Sequence, residues 1–332
     1  MSSARASALS IRAPARLHLG FLDLGGALGR RFGSLGITLD RPVTAVTVAR
    51  ADADSATGPD AIRAAQVRDR VRAALGIEGA FAVSVDSALP PHGGLGSGTQ
   101  LAIAIGIAVA RLGGHDLDAR QAATLLGRGL RSAIGMEAFT QGGVILDGGK
   151  PVGAAGSGSA PPPLLSRLPF PEDWRILLAF DSSREGLSGD AETRAMAELP
   201  PFPETLAAHL CHLIVLKALP ALAEGDAMAF GTVIGEWQQA LGDHYAAAQG
   251  GGRFCSQDVA QAIGFVEAQG VPGVGQSSWG PTGFAIVGNA AQAEDLLQAL
   301  RQRFASSKNL TFDCVAGNNS GAEIRALGAS LA

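Results

Sequence analysis

Apolar positions alternate along Leu9–Leu19, with Ile11, Ala13, Ala15, Leu17 and Leu19 in phase, which is the period of a half-buried strand. Val43–Val48 repeats that alternation, and so do Phe81, Val83 and Val85. Gly20–Gly33, rich in glycine, reads as the turn region after the first strand. Between the strands, Ala61–Leu75 places Ile62, Val67, Val71 and Leu75 on one side at helical spacing. Leu101–Ala110 is almost continuously apolar and predicts a core helix that ends at Arg111. Asp118 reads as the N-cap of a further helix through Leu125, Leu126 and Leu130. Val144–Leu146 closes this half as a short strand before Asp147-Gly148-Gly149.

A small-residue and then proline-rich stretch, Gly153–Pro163, has linker composition and divides the chain into residues 1–155 and 156–332. Beyond it, Arg175–Phe180 predicts a strand followed by a polar loop, Asp181–Asp190. Helical spacing covers Glu204–Ala223, Ala227–Leu241, Ser256–Ala268 and Ala291–Phe304. A strand–loop–strand fills Gly273–Val287, and Leu310–Val315 reads as the last strand. No internal repeat is visible. Strands mixed with helices, without strict βαβ alternation, predict an α+β fold of two sandwich-like halves with a cleft between them.

Composition narrows the function. Among 332 residues, 47% are hydrophobic and 17% charged, enough apolar surface for a large core. A net charge of −4 without like-charge blocks argues against nucleic-acid and membrane partners. The apolar run 101–110 is too short to span a bilayer, and Met1–Leu9 lacks the apolar segment of a signal peptide. Cys211, Cys255 and Cys314 are far apart with no C-x-x-C pair, so they read as reduced thiols of a cytoplasmic protein.

The densest chemistry lies at Pro90-Pro91-His92-Gly93-Gly94-Leu95-Gly96-Ser97-Gly98-Thr99-Gln100, which runs into the apolar helix. Glycines let backbone N–H groups face a ligand, and a helix N-terminus adds unpaired donors and partial positive charge. The stretch reads as a phosphate or pyrophosphate cradle, or else as a tight strand-to-helix connection. The dinucleotide fingerprint fails at Thr99, and the P-loop pattern fails for want of a lysine.

Pro-x-x-x-Gly-Leu-Gly-Ser-Gly resembles the central motif of the GHMP superfamily (galactose, homoserine, mevalonate and phosphomevalonate kinases). Ala13–Gly20 and Gly275–Phe284 resemble its first and third motifs. The segment Ser132–Gly143 matches the register in which the kinases carry a catalytic aspartate, but Gly135 stands at that position. Arg128–Asp147, Gly186–Gly189 and Gln276–Pro281 are more similar to the β-ribofuranosylaminobenzene 5′-phosphate synthase family of the same superfamily. That resemblance implies joining of phosphoribosyl pyrophosphate to 4-aminobenzoate or a hydroxybenzoate analogue. It further implies release of CO2 and pyrophosphate, Mg²⁺, no ATP, and a place on the route to tetrahydromethanopterin. A homodimer is compatible with it.

Such chemistry needs donors for pyrophosphate, cations for the 5′-phosphate and carboxylate, and a flat slot for the ring. Gly94, Gly96, Ser97, Gly98, Thr99 and Gln100 match the first need. Arg16 reads as an anion clamp or a surface ion pair, and His18 as a ligand or a structural histidine. Glu137 and Asp181, with Glu185 and Asp23, are candidate oxygen ligands for Mg²⁺, Glu137 being best placed. Arg184 reads as an anion partner or a solvated charge; Trp279 as an aromatic platform or domain packing. Gln276, Ser277 and Ser278 add donors, and the resemblance extends substrate contact to Ser132 and Gln141. Arg16, Glu137 and Trp279 form the expected catalytic set. His209 and His212 read as structural. The alternatives are an ATP-dependent GHMP small-molecule kinase and a binding module on the same fold.

Overall fold

The computed structural model describes residues 7–153, 160–187 and 189–328; most of the expected linker (154–159), Ser188 and the first six residues lie outside them. Two long strands open the chain, β1 (Ala8–Asp23) and β2 (Arg30–Ala51), paired antiparallel almost throughout. The turn expected over Gly20–Gly33 is therefore confined to Leu24–Gly29. Gly20 and Gly36 are strand residues, with no Cβ because Leu241 and Ile134 lie against them. Glycine marks close approach here, not chain reversal.

In order there follow β3 (Ser55–Thr57), α1 (Ala61–Leu75), β4 (Ala80–Ser87), α2 (Ser97–Leu112), α3 (Ala119–Leu125), α4 (Ile134–Thr140), β5 (Val144–Asp147), β6 (Lys150–Pro151) and β7 (Leu164–Leu168). Next come β8 (Arg175–Asp181), α5 (Gly189–Glu198), α6 (Glu204–Leu213), a π-helical turn (Ile214–Ala218), α7 (Leu219–Glu224) and α8 (Ala227–Tyr245). The chain continues with α9 (Gln257–Ala268), β9 (Val274–Gln276), β10 (Gly283–Val287), α10 (Ala290–Arg303), β11 (Leu310–Val315) and β12 (Glu323–Leu327).

The larger sheet runs β12-β1-β2-β4-β3, with β5 and β6 also on β2 and β7 on β5; the smaller is β11-β8-β10-β9. The division expected at 155/156 does not coincide with a sheet boundary. Both β7 and β12 lie beyond it in sequence, yet main-chain hydrogen bonds tie them to β5 and β1.

Alternation along β8 separates two cores. Ile176 and Leu178 pack with Leu17, Leu35, Phe230 and Trp237, whereas Leu177 and Ala179 face Val259 of α9 and Leu297 of α10. A third cluster surrounds α2, packed against Val71 of α1 and Phe81 of β4. Burying each such side chain stabilises the fold by about 1.5–3 kcal/mol.

Within α1 the buried face is Ala64, Val67, Arg68 and Val71, while Ile62 is 79% exposed, against the expectation for it. Two residues from Ala64 is about 200° around a helix, so Ile62 points away. Asp118 does cap α3, in a reciprocal box with Gln121. That helix stops at Leu125, short of the expected Leu130, where Gly127 and Gly129 turn the chain at positive φ. Glu204–Glu224 is long and apolar enough to cross a membrane, but it seats Leu210, Ile214, Ala218 and Leu222 in the core between the sheets.

Candidate functional site

The segment after β4 carries a knot of bonds that brings three distant loops together. The Gly94 carbonyl accepts from Arg16 Nη1 and from Ser277 Oγ, the latter at 2.7 Å. Thr282 Oγ1 donates to the Gly93 carbonyl at 2.5 Å, and the Gly186 amide to the His92 carbonyl at 3.0 Å. His18 N donates to Ser277 Oγ and Ser278 N to the His18 carbonyl, each at 3.0 Å. These contacts place both glycine loops on one cleft of about 630 Å³, within the range of small-molecule sites.

The floor of the cleft is the start of α2. Gly96 is its N-cap at φ 86°, and no side chain caps it. Among the described residues the amides of Ser97 and Gly98 find no protein acceptor, so they remain available to an anion. Arg16 stands beside Gly96, with Nε buried and unpaired; burial pushes its guanidinium down to about 10, still cationic near neutral pH. His18, 5% exposed, also lines the cleft, and its Nδ1 has no partner. Burial, aided by the Arg16 charge, drives His18 down to about 3, leaving a neutral imidazole.

An aromatic wall adjoins this floor. Trp279 is 4% exposed and its ring lies 4.5 Å from that of Tyr245; Phe21 meets His18 edge-on at 4.8 Å. Phe21, His18, Ser278 and Trp279 are shared with a small recess that Tyr245, Gln238, Gln249, Gln276 and Arg253 complete.

Arg16, His18, Gly94, Gly96, Ser97, Gly98, Thr99, Ser132, Ser278 and Trp279 are thus brought together on the cleft. Ser132 is held there by Asp147 at 3.2 Å, a fully buried carboxyl that also accepts from the amides of Ala133 and Gly149. Burial raises that carboxyl's pKa against those bonds.

Other expected site residues lie elsewhere. Glu137 is outside the cleft, its oxygens engaged by Arg120 at 3.3 Å and by Gln141 at 2.8 Å, which removes Gln141 as well. Asp181, the last residue of β8, accepts from Ser183 and Ser256, each at 2.6 Å, and does not line the cleft. Arg184 is exposed beside it and does not reach the cleft. Gln100 is fully buried and donates to the Gly135 carbonyl at 2.7 Å; Ser277 is fully buried and braces the loops. Gln276 binds the Cys255 amide at 2.8 Å and faces the recess.

The structure adds residues the sequence reading did not single out as ligands: Phe21, Arg63, His92, Arg128, Arg131, Asp190 and Glu192. Arg63 and Arg70, seven apart on α1, carried a signal in their shared helix face. Arg131 pairs with Glu192 at 2.7 Å. For Mg²⁺, Asp190 is the carboxylate on the cleft without a partner among the described residues, and it fits an ion that takes one or two protein oxygens beside phosphates. No cluster of three potential ligands occurs among the described residues.

The fold and this cleft define the chain as a member of the GHMP kinase fold class. The GHMP kinases N-terminal domain model matches residues 61–143, and homoserine kinase from Cytophaga hutchinsonii superposes with TM-score 0.65 at 19% identity, covering 98% of this chain and 99% of that one. Two curated relatives are called β-ribofuranosylphenol 5′-phosphate synthase. The one from Methanothermobacter thermautotrophicus is 33% identical over 86% of this chain and 92% of its own length; that from Archaeoglobus fulgidus is 33% identical over 90% and 93%. The chain belongs to the β-ribofuranosylphenol 5′-phosphate synthase family and is an enzyme.

Proposed function

We propose that this enzyme joins phosphoribosyl pyrophosphate to 4-hydroxybenzoate or 4-aminobenzoate, on the route to tetrahydromethanopterin. The observation that carries the reading is a single cleft that sets unpaired helix amides and Arg16 against the aromatic surface of Phe21 and Trp279. The names of the relatives, which specify a ribosylated phenol, favour the hydroxy acid.

In this reading the amides of Ser97 and Gly98, with Arg16, hold pyrophosphate as the bond from its oxygen to the ribose C1 breaks and the electron pair leaves with it. The ring carbon bearing the carboxylate forms the new bond to C1, driven by electron release from the para substituent. Breaking of the carbon–carboxylate bond then returns its electrons to the ring as CO2 departs. Trp279 and Phe21 orient the ring and exclude water from C1. Asp190 would hold Mg²⁺, which supplies charge neutralisation to the departing pyrophosphate.

Gly135 supports a reaction other than phosphoryl transfer to an alcohol. A Cβ there would lie 3.1 Å from Thr99 Cγ2, so the position of the kinase carboxylate abuts the phosphate loop yet offers no base. The test is incubation of purified protein with phosphoribosyl pyrophosphate, Mg²⁺ and each carboxyl-labelled acid. Equal amounts of CO2 and pyrophosphate, dependent on both substrates, are expected. ATP turnover over small alcohols with no CO2 would replace this reading by the kinase one.

A further inference from the structure

The cleft has a second cationic end. Arg63 of α1 and Arg128, after α3, converge over Gly98: an ideal Cβ there lies 3.5 Å from Arg128 Nη1 and 3.8 Å from Arg63 Nη1. Arg16 stands in the same relation to Gly96, 3.4 Å from its Cζ. Two groups of guanidinium thus overhang one loop, two residues apart. Arg70 lines a recess behind Arg63 and Arg128. Arg63 has Asp60 at 3.4 Å, but neither Arg128 nor Arg70 has an acidic partner among the described residues. Burial and the charges of Arg63 and Arg70 depress the pKa of Arg128. Three like charges gathered with one acid, where a helix N-terminus adds further positive potential, are unfavourable until an anion arrives. Unpaired Nδ1 of His18 and Nε of Arg16, on the same cleft, show that its polar set is incomplete without a ligand.

We propose that Arg63 and Arg128 form the subsite for the 5′-phosphate, while Arg16 and the amides at the start of α2 take the pyrophosphate. The assignment rests on the function proposed above. Its direction follows from the aromatic wall: His18 is two residues from Arg16, and Ser278, next to Trp279, bonds to the His18 carbonyl. The ring must meet C1, and pyrophosphate is attached to C1, so pyrophosphate belongs at the Arg16 end. The 5′-phosphate, across the ribose, then reaches the distal arginines. It is unchanged by the reaction, so its contacts bind ground and transition states alike.

The probes are ribose 5-phosphate and inorganic pyrophosphate, each titrated with Mg²⁺ into wild type, Arg128→Met, Arg63→Gln and Arg16→Met. Arg128→Met and Arg63→Gln are expected to weaken ribose 5-phosphate by about ten- to a hundred-fold and to leave pyrophosphate nearly unchanged; Arg16→Met should do the reverse. In turnover, Arg128→Met should raise KM for phosphoribosyl pyrophosphate with little change in kcat. Folding is controlled by melting: without anions Arg128→Met should melt no lower than wild type, and ribose 5-phosphate should raise the midpoints of wild type and Arg16→Met more than that of Arg128→Met. Product formation by wild type with pyrophosphate, not ribose 5-phosphate, weakened in Arg128→Met would overturn the assignment and spare the function. Ribose 5-phosphate binding that depends on Arg128, in a wild type that makes no product, would spare the subsite and overturn the function. Binding of neither probe would overturn the subsite.

Discussion

At Gly96 the backbone turns through φ 86° to start α2, and a side chain there would meet both that strain and the Arg16 guanidinium. Ser97, next along, begins the helix with its hydroxyl on the cleft and no protein partner among the described residues. Ser97→Ala therefore removes one donor to a charged acceptor, a loss of about 1.5–3 kcal/mol. Pyrophosphate release should slow by about ten- to a hundred-fold in kcat/KM, with the melting midpoint unchanged; equal rates would show that the hydroxyl does not touch the transition state.

His18 makes a different prediction. Its folded pKa, about 3, lies below its ordinary 6.5, so the unfolded chain binds the extra proton as pH falls between those values. Stability from neutral His18 is complete well above pH 6.5 and declines on acidification, by about 1.6 kcal/mol between pH 6.5 and 5. Urea unfolding at those two pH values should show a smaller acid-induced loss in His18→Gln than in wild type. An identical loss in both would refute the burial of a neutral imidazole.

At the scale of elements, legibility followed periodicity. The spacing of Val67 and Val71 marked α1, and the continuous apolar run Ile176–Phe180 marked β8, because one element has a single face in a core and the other has both. Short elements escaped. α4 and α5, of seven and ten residues, are too brief for a 3.6-residue period to stand out, and no residue of α5 is buried. β12 is mostly exposed and pairs through main chain with β1, so its side chains carried little signal. Capping was legible, since Asp118 and Gln121 are local to α3. Asp118→Ala should cost about 1 kcal/mol, read as a lower urea midpoint, while KM for phosphoribosyl pyrophosphate stays as in wild type; a raised KM would tie α3 to the cleft.

For the molecule as a whole, the cleft is a joint product of β1, α1, the loops before α2 and after α3, α5 and the β9–β10 loop. One change at the kinase position should not convert it. Gly135→Asp needs only a shift of a few tenths of an ångström against Thr99, but the arginine-lined floor and the aromatic wall remain. No ADP release from ATP and small alcohols is expected from this variant; sustained alcohol-dependent release would show that the carboxylate alone separates the two chemistries.

The family resemblance, the phosphate loop and the longer helices and strands were determined by the sequence itself, because each depends on residues a few positions apart. Which charges share the cleft was decided only in three dimensions. Glu137 reads as a metal ligand until Arg120 of α3 closes on it, and Arg63, not singled out in the sequence, becomes a cleft residue because α1 sets it beside Arg128. Local spacing places a side chain on a face of its own element. Which charge it meets depends on how sheets and helices pack, through contacts between residues 17 to 65 positions apart in these two cases.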